Sequence, residues 1–100
     1  MGVTVNTPSL GIGQTWQNVS ASRAIGTTYY NTTAKPIFVF CGWSANGSNV
    51  TTTLTVNGVI ASTTYMDTYA RPLCCGVIPP GASYVINSGV TTGFTWSELR

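Results

Sequence analysis

Histidine is absent from this chain of 100 residues, and formal charge is confined to four basic and two acidic side chains. General acid/base catalysis, metal binding and phosphate handling all draw on clusters of titratable or donor groups tuned against one another. Two carboxylates, Asp67 and Glu98, are a thin stock for that work. A glycosidase would need them as its entire catalytic pair, and Glu98 stands almost at the chain terminus. Neither enzymatic activity nor a cofactor is expected. Cys41, Cys74 and Cys75 are too few ligands for zinc without histidine. Neighbours on a strand point to opposite faces, so Cys74 and Cys75 cannot join one cluster, and the odd count reads as buried thiols.

Long apolar runs are missing too. None approaches the roughly 18 residues a membrane span needs, and the first residues show neither a basic start nor a hydrophobic signal core, so neither insertion nor secretion is expected. Arg23, Lys35, Arg71 and Arg100 are scattered and form no basic stripe, which argues against nucleic acid. Glycosylation sequons occur at Asn18, Asn31, Asn46 and Asn49, but serine and threonine are abundant enough to generate such triplets by chance. Charged residues make up 6% of the chain, against roughly 25% in ordinary soluble domains, while apolar residues reach 43%. In a single domain of this size, part of that apolar surface should be hidden by partners. The composition describes a protein that works by the surface it presents.

What is present is β-sheet signal. Apolar residues recur at spacing two, threonine fills the alternate positions, and glycine, proline or asparagine punctuates the chain every 8 to 12 residues or so, the pattern of a sandwich or barrel. The expected fold is an all-β antiparallel sandwich, jelly-roll-like, of about eight strands over residues 14–100, with 1–13 as a connector. Expected strands are 14–19, 24–30, 36–43, 50–56, 59–65, 72–78, 83–87 and 93–98. Asn57-Gly58 supplies the two positive φ angles of a type I′ turn. That turn pairs Val56 with Val59, Leu54 with Ala61, Thr52 with Thr63 and Val50 with Tyr65 on a core-facing side, leaving Thr51, Thr53 and Thr55 outside. Pro79-Pro80-Gly81 reads as another turn. The run Ile37-Phe38-Val39-Phe40-Cys41 does not alternate, so both faces of that strand must be kept from water, the outer one by a subunit contact or a crossing loop.

Gly13-Gln14-Thr15-Trp16-Gln17, then Ser20-Ala21-Ser22-Arg23, then Thr27-Thr28-Tyr29-Tyr30-Asn31-Thr32-Thr33-Ala34-Lys35-Pro36-Ile37 resemble, in that order, the C-terminal domains of bacteriophage and prophage tail fibre or tailspike proteins. Val77-Ile78-Pro79-Pro80-Gly81-Ala82-Ser83-Tyr84 and residues 96–100 are similar to the closing segments of such domains. The resemblance covers most of residues 14–100. It implies a virion protein, a tail-fibre tip that forms a homotrimer and attaches to a host receptor, either a bacterial surface glycan or an outer-membrane protein. A purely structural trimerisation or capping module and a noncatalytic carbohydrate-binding module are the alternatives.

If each turn reverses the chain, the loops at 20–23, 44–49, 66–71 and 88–92 share one end of the sandwich, and those at 31–35, 57–58 and 79–82 share the other, together with the connector and the C-terminus. The first end is then distal. Its Asn46, Ser48, Asn49, Asp67, Tyr69 and Arg71 offer amides, a hydroxyl, an aromatic plate and charges suited to sugar hydroxyls or a protein loop, and they form the expected ligand site. The asparagine-glycine run there also fits a plain turn. Trp16, Trp43, Tyr84 and Trp96, on expected strands, read as core or subunit contacts. Arg23 is expected to pair with Asp67 or Glu98 as a structural ion pair.

Overall fold

The structure, a computed structural model, describes residues 10–44, 50–66 and 71–100. Among the described residues there are eight strands, β1 (Trp16–Asn18), β2 (Tyr29–Tyr30), β3 (Ile37–Trp43), β4 (Val50–Val56), β5 (Val59–Met66), β6 (Leu73–Ile78), β7 (Ser83–Asn87) and β8 (Phe94–Leu99). They form two antiparallel four-stranded sheets, ordered β1-β8-β3-β6 and β2-β7-β4-β5. The jelly-roll expectation holds, and its logic starts at one turn.

Asn57 and Gly58 adopt φ of 49° and 80°, the double left-handed pair of a type I′ hairpin. From that turn the chain runs as one long two-stranded ribbon. Val56 lies opposite Val59, Ile37 opposite Ile78, and Trp16 opposite Leu99, each pair symmetric about Asn57-Gly58. Rolling the ribbon sets β3 beside β8 and β4 beside β7, which completes both sheets.

The hairpin register departs from expectation beyond its first pairs. An irregularity at Leu54/Thr55 sets Leu54 opposite Ser62, Thr52 opposite Thr64 and Thr51 opposite Tyr65, where simple alternation gives Ala61, Thr63 and Val50 opposite Tyr65. One extra residue has been inserted into β5, as in a β-bulge, and everything after it changes face. Thr52 and Leu54 still reach the core, while Tyr65 turns outward and Val59 is exposed beside the turn.

β1 and β2 are shorter than expected because the chain changes sheets between them. Asn18 Oδ1 accepts hydrogen bonds from the Ser20 N–H and hydroxyl, at 3.0 and 2.6 Å, which bends the backbone into the single 3₁₀ turn Ser20–Ser22. The Trp96 N–H donates to Ser20 Oγ at 2.8 Å, satisfying the ladder position that β1 vacates. The crossing therefore leaves the first sheet at the height of Trp96.

Between the sheets lie Ile37, Val39, Cys41 and Trp43 of β3, Cys74 and Ile78 of β6, Leu54 of β4, Tyr84 and Ile86 of β7, and Trp96 of β8. Cys41 and Cys74 face each other across their strands as buried free thiols, and Cys75 turns to the opposite face, half-exposed. Gly76 admits close approach of the opposite sheet: a Cβ there would meet Leu54 Cδ2 at 2.9 Å.

Candidate functional site

The sandwich has two chemically distinct poles. At one, buried Asn31 ties the turns together. Its amide donates to Lys35 O at 2.7 Å and Ile78 O at 3.0 Å, its Oδ1 accepts from the Thr33 N–H and hydroxyl, and its own N–H bonds Ala82 O. An amide so enclosed cannot carry a glycan, so that sequon is structural. Asn57 Oδ1 accepts the Ser83 N–H at the same pole. The segment just before β1 is fastened here: Gln14 Nε2 donates to Pro36 O, Lys35 Nζ to Ile12 O, and Thr15 exchanges backbone bonds with Arg100.

At the opposite pole Ser44 bonds Gly93 O through its N–H and hydroxyl, Trp43 Nε1 donates to Val90 O, the Trp43 N–H bonds Pro72 O, and Thr52 pairs with Ser88. The segments around 44, 72 and 88–93 thus converge as the alternation of turns requires. The crossing at 20–23 does not join them, because it leaves its sheet below that level. Of the expected ligand residues, Arg71 is exposed beside buried Pro72 at this pole. Asn46, Ser48, Asn49, Asp67 and Tyr69 lie outside the described residues. No pocket opens among the described residues.

Buried polar chemistry concentrates on Glu98, whose side chain is fully buried. Trp96 and Glu98 lie on the same face of β8, and alternation carries that face on to Arg100. Arg23, arriving on the crossing, forks Nε and Nη2 onto the two carboxylate oxygens at 3.1 Å each. Tyr84 Oη donates at 2.9 Å, Trp96 Nε1 at 3.0 Å and Arg100 Nη1 at 2.7 Å. The Arg23 guanidinium also sits 4.7 Å from the centre of the Tyr29 ring. The ion pair expected for Arg23 is thus with Glu98, and the tyrosine, tryptophan and second arginine join it. Spacing of two along 96, 98 and 100 was the available signal for Trp96 and Arg100; Tyr84 had none, since only the roll of the ribbon brings β7 over β8.

Burial pushes the Glu98 carboxyl upward, but hydrogen bonds from Arg23 and Tyr84 and the Arg23 charge outweigh it, leaving the group below the ordinary carboxylate range. For Tyr84, burial and the neighbouring carboxylate push the phenol up to about 12. With five donors on two oxygens, Glu98 fastens the crossing and the chain end to the core. It is a structural carboxylate.

The second candidate surface is the outer face of the first sheet. Register places Trp16, Leu99, Phe38 and Val77 side by side in one row across β1, β8, β3 and β6, and Phe40 beside Ser97 and Cys75 in the next. Trp16 is 56% exposed, Val77 46%, Leu73 47% and Phe40 39%. Trp16 meets Phe38 edge to face at 5.8 Å between ring centres. Trp16 is therefore outside the core, whereas Trp43, Tyr84 and Trp96 are within it. The other sheet turns Thr51, Thr53 and Thr55 outward along β4, with exposed Ile60 and Tyr65 beside them on β5 and Tyr30 on β2. The non-alternating run of β3 thus has its inner face covered by the second sheet and its outer face open in the single chain.

Comparisons with protein-family models, with curated proteins and with solved structures found no match.

Proposed function

We propose that the chain is the tip domain of a phage or prophage tail fibre or tailspike, attaching the virion to a bacterial surface glycan or outer-membrane protein and assembling as a homotrimer. In this reading residues 1–13 are the connector from a shaft, residues 14–100 the tip, and the work is done by docking, without covalent chemistry.

The observation that carries the reading is the polarity of the sandwich. Connector and chain end are fastened at one pole by Lys35, Pro36 and Arg100, and a loop cluster is presented at the other. Seven-residue strands such as β3 separate the poles by about 20 Å. A domain held at one end and displaying loops at the other suits attachment, and Arg71 offers a guanidinium there for carboxylates or sugar hydroxyls. The bare apolar sheet face also favours a second reading, a structural capping module that touches no host.

Labelled protein applied to a panel of bacterial cells and to a glycan array tests the proposal. Binding is expected, and Asn46→Ala, Tyr69→Ala or Arg71→Ala should reduce it at least tenfold without moving the melting temperature. A wild-type protein that binds neither cells nor glycans leaves only the capping module.

A further inference from the structure

We infer that Cys41 and Cys74 are a latent disulfide, a reversible covalent staple between β3 and β6 that a low-molecular-weight disulfide closes and reduced glutathione reopens. The inference goes beyond the attachment reading and does not depend on it.

The two residues lie directly opposite each other in the β3–β6 ladder, and both are fully buried between the sheets as free thiols. Opposed side chains on an antiparallel pair leave on the same face, so the two sulfurs share one part of the core. Two residues along the same ladder, the Trp43 N–H donates to Pro72 O at 3.1 Å. Bonded and non-bonded rungs alternate, so Cys41 and Cys74 also form a hydrogen-bonded rung, with Cα atoms about 5.5 Å apart. That separation is the favoured span of a disulfide, about 5.5 to 6 Å. The Cβ atoms, about 5 Å apart on such a rung, must draw in to about 3.8 Å against the ladder hydrogen bonds that hold the strands in place. The bond is therefore within reach but strained, and strain makes a disulfide easy to reduce.

β6 supplies the way in. It is the outer strand of its sheet, paired along one edge to β3, and its other edge is held, among the described residues, by Thr64 Oγ1 donating to Leu73 O at 2.6 Å. Local release of this strand uncovers Cys74 and then Cys41 behind it. While the sheet is closed, burial pushes both thiols up to about 12, so neither is a thiolate at neutral pH and neither reacts. Once β6 opens, the Cys74 thiolate attacks the small disulfide RSSR, expels one RS⁻ and forms a mixed disulfide. The Cys41 thiolate then attacks the Cys74 sulfur and expels the second RS⁻. The protons given up by the two cysteines pass to the leaving thiolates, so the protein is oxidised by loss of two hydrogens and RSSR is reduced to two RSH. Cys75 cannot take either part, because it leaves β6 on the opposite face, across from Phe40.

The test equilibrates wild-type protein with oxidised glutathione at neutral pH, in denaturant below the unfolding midpoint so that β6 opens and recloses. Intact mass should fall by two hydrogens, a protease map should join Cys41 to Cys74, and alkylation after full unfolding should label Cys75 alone. Cys75→Ser should form the same bond, and Cys41→Val should form none within the chain. Reduced glutathione without any stronger dithiol should then return all thiols to the wild type. If Cys41→Val fails to fold, the protease map of the wild type decides. Thiols that survive oxidation, glutathione adducts in place of the internal bond, a bond through Cys75, or a Cys41–Cys74 bond that reduced glutathione leaves intact overturns the inference.

Discussion

Arg23 and Glu98 stand 75 residues apart in sequence and meet through two hydrogen bonds of 3.1 Å, so the segment that carries the chain from one sheet to the other is bolted to the last strand. Arg23→Ala leaves a buried carboxylate with only Arg100 as counter-charge. Breaking a buried pair in this way costs about 3 kcal/mol or more, and for a domain of this size should lower the melting temperature by at least about 10 °C. Adding Glu98→Gln removes the stranded charge while keeping an acceptor for Tyr84 and Trp96, so the double variant should melt higher than Arg23→Ala alone. An Arg23→Ala protein that melts with wild type would show that the ion pair contributes nothing.

Acid should weaken the fold through the same carboxylate. The folded-state pKa of Glu98 is depressed, so its contribution is fully present above the ordinary carboxylate value and is lost as pH falls through the lower folded value. Denaturant midpoints measured from neutral pH into acid should fall for wild type and fall less for Glu98→Gln. Equal acid limbs in the two proteins would exclude Glu98 as the cause.

Alkali acts on a different set. Burial pushes the Cys41 and Cys74 thiols from 9.0 up to about 12, and Tyr84 from 10.0 to about 12. All three are raised, so the stability they give is intact below their unfolded values and is lost as pH rises from about 9 towards 12. Chemical denaturation near pH 7 and again near pH 11 should reveal that loss, and Cys41→Val with Cys74→Val should shrink it.

Leu54 and Gly76 are coupled by contact, since a methyl on Gly76 would collide with Leu54 Cδ2. Gly76→Ala should destabilise by about 1 to 3 kcal/mol through overpacking, and Leu54→Ala by about 2 to 5 kcal/mol through the cavity it opens. The double variant should lose less than the two together, because the new methyl occupies part of the vacated space. Strict additivity in urea titrations would mean that the two side chains do not share that space.

Gly58, with φ of 80°, occupies the left-handed region at the centre of the ribbon. Gly58→Ala should cost about 1 kcal/mol, and Gly58→Val more, because a Cβ is strained there and a branched one more so. A thermal melt of each variant measures the ranking, and Gly58→Val as stable as wild type would contradict it.

Sequence alone determined the fold class, the positions of the strands from β3 to β8 within one or two residues and the Asn57-Gly58 turn, because period-two alternation and positive-φ residues are local properties written into neighbouring side chains. It also determined that β3 would carry apolar residues on both faces and that Arg23 would seek a carboxylate, since so few charges were available. Tertiary structure decided which carboxylate, by rolling β8 against the crossing and bringing Tyr84 onto the same oxygens. It decided that Tyr65 faces outward, because a single extra residue in β5 reverses every side chain after it. It alone set Trp16, Leu99, Phe38 and Val77 in one exposed row, for these residues are far apart in the chain and become neighbours only through strand pairings fixed by the packing of the whole ribbon.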